Sequence, residues 1–301
     1  MQPIIRFIKD WTLVIAMLAG SLFYPFFNQL SVTTPYLIFL MLLLTFTKLS
    51  PRKIRLHPLH AWLAAIQLFG SIALYLLLLP IHPIVAQSAL IVVLAPTATA
   101  AAVVTRMLGG SVASITTYTL VVNLMVALTA PILFSLTGSN PDMDFWTSFW
   151  YICQKVVPLL TLPLILAWSM QRYTPTVHRF ISGFQSLSFY LWAIALTVVT
   201  ARTVHYLFNQ TDPDWILNSS IALIALLLCA GQFLLGRALG KRYKKTIAGG
   251  QSLGQKNTIL AIWMAQTFLH PVASLGPASY VLWQNMVNSW QLYKRRKTHH
   301  S

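Results

Sequence analysis

One group of chemistry-bearing residues stands apart by its surroundings. Ser252, Gly254, Gln255, Lys256 and Asn257 lie together inside the otherwise apolar segment AGGQSLGQKNTILAIWMAQTFL. An ammonium in such a place has two uses: it draws an anionic solute, or it stands where a bound cation would sit. Ionisable groups inside apolar spans mark functional sites by default. The bland alternative is that Lys256, about eight residues into its segment, snorkels to lipid headgroups. Catalytic sets are missing. The chain has no Glu, and its five Asp (Asp10, Asp142, Asp144, Asp212, Asp214) sit at segment ends or between segments. A Ser-His-Asp arrangement therefore lacks its buried acid. His57, His60, His82, His178, His270, His299 and His300 also lie at segment ends or between segments, with no metal-ligand spacing. No phosphate loop, zinc-protease helix or dinucleotide fingerprint occurs. An enzyme, a resident metal and a cofactor are not expected.

The elements that hold these residues are set by composition. Of 301 residues 56% are hydrophobic and 9% charged, against about 25% charged in a soluble domain. Mean hydropathy is +0.66. Apolar runs of membrane-spanning length fall at about 11 to 27, 32 to 48, 60 to 80, 84 to 106, 110 to 136, 145 to 170, 178 to 207, 213 to 239, 249 to 270 and 272 to 292. The first run lacks a small-residue cleavage site and leads directly into a second, so it reads as a span and not a removed signal peptide. Ten spans use up the chain as a single transmembrane domain, 1–301. Cys153 and Cys229 fall inside runs and read as ordinary buried thiols.

Charge sets the orientation. Arg6 and Lys9 precede the first run; Lys48, Arg52, Lys53 and Arg55, Arg106, Arg172 and Arg179, and Arg237 to Lys245 occupy every second connection; Lys294 to Lys297 form the tail. The alternate connections, 28 to 31, 81 to 83, 137 to 144 and 208 to 212, have no Lys or Arg. By the positive-inside rule both termini are cytoplasmic, in an integral multi-pass protein of an inner or plasma membrane. The net charge of +16 meets anionic headgroups in these short loops, and nucleic acid is not an expected partner.

Two runs carry a break. The fourth is interrupted by Pro96, flanked by Thr97 and Thr99, and proline removes a donor and clashes with the preceding turn. The ninth is interrupted at Gly254, 158 positions later (254 minus 96). Each is the fourth run in a set of five. An odd number of spans per half inverts the second half in the membrane, and matched discontinuous helices point to a transporter's midplane site. Opened backbone cannot face lipid, so the breaks should face each other or a watery cavity. The half-helix N-termini there attract anions. A tolerated kink at Pro96 and a packing glycine at Gly254 are the alternative.

At these residues the chain resembles the bile acid:sodium symporter family. The resemblance implies an all-α membrane protein of ten transmembrane helices in two inverted five-helix repeats, about 1–140 and 141–301, with the fourth and ninth helices broken and crossing. The family's ninth helix carries Glu-x-Gly-x-Gln-Asn; here Gly254 and Asn257 match, while Ser252 takes the Glu position and Lys256 the Gln position. Its fourth helix tends to show Pro-Gly-Gly-x-x-Ser-Asn, where this chain reads Pro96, Thr97, Ala98, Thr99, Ala100, Ala101, Ala102. Gln67 matches a polar position of the third span, and Thr119 a fifth-span hydroxyl that serves one sodium site. Hard cations want several oxygens, commonly with a carboxylate, and no intramembrane carboxylate exists. A lysine ammonium adds repulsion of about 4 kcal/mol for unit charges 4 Å apart at an effective dielectric near 20. Both family sodium sites are expected to be dead. The ammonium of Lys256 is expected to take the cation's place and hold the crossing through freed carbonyls and Asn257.

Two versions follow. Lys256 stays charged and transport of an organic anion is uncoupled from sodium, or a proton moves on and off Lys256 as the coupling ion. The resemblance implies a panel of spans one, two, six and seven working by alternating access against a core that holds the crossing. A retained sodium coupling, a non-transporting receptor or scaffold on the same fold, and a channel are the other readings. Arg202, with His205 and Tyr206 following, is a candidate outer vestibule or an interfacial anchor. Gln284, Asn288 and Gln291 recur on one face of the last span with Asn285 alongside, to line an opening or to satisfy neighbouring helices.

Overall fold

The computed structural model describes residues 2–49, 54–138, 143–209 and 214–300, so Arg52, Lys53, Asp142 and Asp212 lie outside the described residues. It is all helical among these residues, with six helices long and apolar enough to cross a membrane: Tyr24–Phe46, Pro58–Leu78, Val112–Thr137, Phe145–Tyr173, Leu187–Phe208 and Trp215–Arg242. Large side chains such as Trp62, Phe69, Leu128, Leu136, Leu227 and Leu234 point outward. Such an apolar exterior suits lipid and not water. This is an all-α membrane protein.

The chain divides into two compact units, Met1–Lys48 with Leu162–Asp214, and Leu49–Thr161 with Trp215–Ser301. In the first unit α1 (Gln2–Leu22), α2 (Tyr24–Gln29) and α3 (Thr34–Phe46) all pack on α10 (Gln185–Phe208). Tyr24 stacks on Phe208 with centroids 5.7 Å apart. The connection expected at 28 to 31 is helical instead: Leu30–Thr33 is a 3-10 turn running straight into α3. Phe23 departs from helical geometry (φ −108, ψ 31) between α1 and α2, and Pro25 and Pro35 enter the first turns of α2 and α3, where the missing N–H has no helical partner to lose. α9 (Pro175–Gly183) is separate from α10, and His178 Nε2 lies 2.9 Å from the carbonyl of Thr47 at the end of α3.

The second unit holds α4 (Pro58–Leu78), α5 (Pro83–Leu94), α6 (Ala101–Met107), α7 (Val112–Thr137), the start of α8 (Phe145–Tyr173), α11 (Trp215–Arg242), α12 (Thr246–Gly254), α13 (Thr258–Phe268) and α14 (Leu275–His300). α4 is amphipathic in the membrane sense: Leu59, Leu63, Gln67 and Ser71, one turn apart, face inward. From Val85 to Leu94 every residue of α5 is buried, and α13 is buried through Gln266. Helices buried all round form the interior of a bundle.

Three elements begin with the same pair, His57-Pro58, His82-Pro83 and His270-Pro271. In each the histidine Nδ1 accepts from the N–H two residues on, at 3.2 Å from Leu59 and Ile84 and 3.3 Å from Val272. Proline supplies the φ of the first helical residue while the imidazole caps. α11 and α12 touch backbone to backbone: a Cβ on Gly236 would strike the carbonyl of Gly249, and one on Gly249 the carbonyl of Gly236. Small residues permit this approach in membranes, where packing replaces the hydrophobic effect between helices.

Two predictions follow from these contacts. Gly249→Leu must drive α12 from α11, and over-packing of this kind costs about 1 to 3 kcal/mol or more; the thermal unfolding midpoint in detergent should fall by several degrees, while Gly231→Ala, where a Cβ meets nothing, should leave it in place. Burial, and then the neighbouring His82, hold His270 below the usual histidine value. The unfolded chain then takes up a proton near pH 6.5 more readily than the folded one. The stability from neutral His270 is complete above that pH and is lost as pH falls below it. The midpoint should drop between about pH 7 and 5, and His270→Asn, which keeps a capping oxygen without a titration, should make that drop smaller.

Candidate functional site

Pro96 cannot donate to Val92, and it forces Ala95 before it into extended backbone (φ −47, ψ 135). α5 therefore stops at Leu94. On the other segment α12 stops at Gly254, and Gln255 is extended (φ −100, ψ 99). A Cβ on Gly254 would collide with the ring of Phe233, so the α12 end fits α11 only as glycine. The two extended pieces pair as a single antiparallel bridge, Thr97 with Lys256. Ala98 N donates to Gln255 O at 2.9 Å, and Asn257 N to Pro96 O at 2.7 Å.

Breaking two helices frees carbonyls that the bridge alone does not satisfy, and side chains answer them. Lys256 Nζ donates to Val93 O at 2.7 Å. Gln67 Nε2 donates to Leu94 O at 2.8 Å and Ala95 O at 2.9 Å. Thr97 Oγ1 donates to Ser252 O at 2.9 Å, and Tyr280 Oη to Gly254 O at 2.8 Å. Behind these donors stands a further layer. Tyr118 Oη donates to Gln67 Oε1 at 2.8 Å, Gln232 Nε2 to Tyr280 Oη at 3.2 Å, and Lys256 N to Gln284 Oε1 at 2.8 Å. Gln67 is fully buried and Lys256 is 1% exposed. Lys256 does not snorkel.

The structure thus gathers Lys256, Gly254, Ser252, Pro96, Thr97 and Gln67 at one place. Ser252 takes part through its carbonyl and Gly254 through its carbonyl and its lack of a side chain. Asn257 is present by its N–H, but its side chain does not reach the ammonium: Oδ1 accepts from Leu260 N at 3.3 Å and caps α13. That is a correction to the expected pairing, with a local cause, since an Asx oxygen at a helix start meets the third N–H without any tertiary contact. Gln255 is buried with Oε1 unpartnered. Thr99 is half-buried and makes no hydrogen bond among the described residues. Thr119 Oγ1 is taken by the carbonyl of Ile115 one turn back, at 2.9 Å.

The polar face of α14 satisfies its neighbours. Gln284 answers Lys256, Asn288 Oδ1 accepts from Gln251 Nε2 at 2.9 Å, and Gln291 Oε1 accepts from Arg237 at 3.1 Å. Asn285 turns back to Val281 O at 2.6 Å. Arg202 belongs to the first unit, where its guanidinium donates to Tyr206 Oη at 3.1 and 3.3 Å. Tyr118, Gln232 and Tyr280 were missed by sequence reasoning because a hydroxyl or amide in an apolar run does not reveal its partner. Among the described residues no three His, Cys, Asp or Glu gather as a metal site.

A buried acceptor stripped of its donor costs about 1 to 3 kcal/mol. Gln67→Leu strands two carbonyls and the hydroxyl of Tyr118, whereas Tyr280→Phe strands one carbonyl and the amide N–H of Gln232. Both should lower the unfolding midpoint, Gln67→Leu the more, and a larger loss for Tyr280→Phe would contradict the assignment of donors.

Compared with models of known protein families and with curated proteins, the chain matches none, so the reading of this site rests on its own geometry.

Proposed function

We propose that this protein is a secondary transporter that carries an organic anion or amphipathic solute across a membrane by alternating access, without sodium, with Lys256 in the place of the coupling cation. One observation carries the reading: the Lys256 ammonium, 1% exposed, donates to Val93 O where the two broken helices meet. A mobile cation at such a crossing would collect freed carbonyls, and here a covalently attached one answers one of them. It also repels a second cation.

Two further features support it. The matched breaks in the fourth and ninth runs are what an inverted repeat of five helices would give, as in the bile acid:sodium symporter family that the sequence resembles at Gly254 and Asn257. The division of the chain sets α1 to α3, the later part of α8, α9 and α10 apart from the helices that hold the crossing. Alternating access needs such a division. Because Lys256 is spent on a carbonyl inside its unit, it acts on a solute through its field and not by direct pairing. The basic connections put both termini in the cytoplasm under this reading.

The test is uptake of an organic-anion panel into liposomes, with sodium replaced by choline and at several pH values, for wild type and Lys256→Gln. Wild type should transport equally in both salts, and Lys256→Gln should lose at least tenfold in rate or lose its pH dependence. A sodium-driven or sodium-stabilised wild type would overturn the reading.

A further inference from the structure

The second unit carries fifteen of the chain's 21 Lys and Arg but only two of its five Asp. Of those two, Asp144 is spent on its own helix start, accepting from Trp146 N, Thr147 N and the Thr147 hydroxyl. The cations are not spread over the unit. The ends of five helices meet at one place: the His57 ring packs edge-on against Tyr243 with centroids 5.3 Å apart, a Cβ on Gly110 would meet Ile247 of α12, and one on Gly109, at the end of α6, would meet the Arg295 guanidinium of α14. Lys241, Arg242, Lys244, Lys245, Arg106 and Arg295 all belong to this junction.

The turn between α11 and α12 contains a second sign. Tyr243 N and Lys245 N both return to Gly240 O, at 3.1 and 2.8 Å, and Lys244 N to Lys241 O at 3.2 Å. That closure needs a left-handed residue, and Lys244 has φ 56. Glycine is the usual resident of this position because a Cβ is strained there. A lysine in its stead keeps an exposed cation beside Lys241, Arg242 and Lys245 at the expense of backbone strain.

We propose that this basic junction is a docking surface for the headgroups of anionic phospholipids, with Lys244 among its principal contacts. Charge complementarity selects the occupant: the face is cationic with no carboxylate of its own among the described residues. Its position selects a membrane over a soluble polyanion, since α4 begins and α11 ends there and both are long and apolar enough to cross a bilayer. Lipid phosphates lie at that depth, and juxtamembrane Lys and Arg read them. Tyr243 against His57 is the aromatic partner expected at such an interface. The consequence reaches the crossing. α12 is nine residues long and runs from this turn to Gly254, so a headgroup that fixes residues 241 to 245 also fixes one arm of the crossing.

The test is thermal unfolding of the full-length protein in neutral detergent with added phosphatidylcholine, or phosphatidylcholine mixed with phosphatidylglycerol, or sodium phosphate, or a short oligonucleotide. Only the phosphatidylglycerol mixture should raise the midpoint, and high salt should remove the rise. Lys244→Gly should raise the midpoint in lipid-free detergent, because the strain goes, yet lose half or more of the phosphatidylglycerol shift. Lys244→Gln, which keeps the strain without the charge, should lose the shift alone. Equal shifts from both lipids, a full shift in Lys244→Gly, or the same shift from phosphate or the oligonucleotide would each overturn the proposal.

Discussion

A backbone carbonyl inside a bilayer has no water to fall back on, and each one left unpaired costs several kcal/mol. Two helices broken at membrane depth create several such carbonyls at once. The organisation of the second unit follows from answering them. Gln67 on α4, Thr97 in the first break, Lys256 in the second and Tyr280 on α14 each aim a donor at a carbonyl the breaks have freed. Tyr118 on α7, Gln232 on α11 and Gln284 on α14 then orient those donors or cover what remains. α4, α7 and α11 each contribute one of these polar residues, and α14 contributes two.

The use of an ammonium among these donors needs a separate reason, because burying a charge is costly unless it is well paired. An amide such as Gln67 answers two carbonyls without any charge. Lysine adds reach and field. Its side chain spans from the second break to a carbonyl inside the turn that Pro96 disrupts, a position no backbone donor of the bridge covers. Its charge, if retained, sets the sign of ion that the crossing tolerates. These are the two properties a bound sodium ion would bring, and no carboxylate among the described residues reaches the crossing to hold one.

Much of this was legible in the sequence, for physical reasons particular to each residue. Pro96 lacks an N–H wherever it is placed, so the end of α5 is a local fact. Gly254 beside Ser252, Gln255 and Lys256 marked the second break because an apolar span does not carry such a cluster without partners. That each break avoids lipid follows from its opened backbone, which left the breaks facing each other or a watery cavity; the pairing of Thr97 with Lys256 is visible only in the structure. What stayed hidden depends on register between helices. Asn257 was assigned to the ammonium, but its oxygen found a nearer donor in its own helix. Gln284, Asn288 and Gln291 announced a polar face by their spacing, whereas their partners at Lys256, Gln251 and Arg237 depend on how α14 is rotated. The expected connection at 28 to 31 failed because two prolines start helices as readily as they stop them, and the irregular residue is Phe23 instead.

The tie from Lys256 to Val93 also bears on how a transporter of this design would cycle. A coupling ion that leaves takes its contacts with it, so carbonyls it had gathered must open to water or find other donors at every turnover. A lysine cannot leave. Whether it carries its third proton or not, its amine keeps N–H groups to give, and the bond to Val93 O requires only one. In the proposed transporter the crossing can therefore stay closed through either version of the cycle, with a fixed charge or with a proton that comes and goes. Motion must then be taken up elsewhere, in the packing of helices and not in the crossing itself, which is what a core tied by seven side-chain and backbone bonds across two breaks is built to resist.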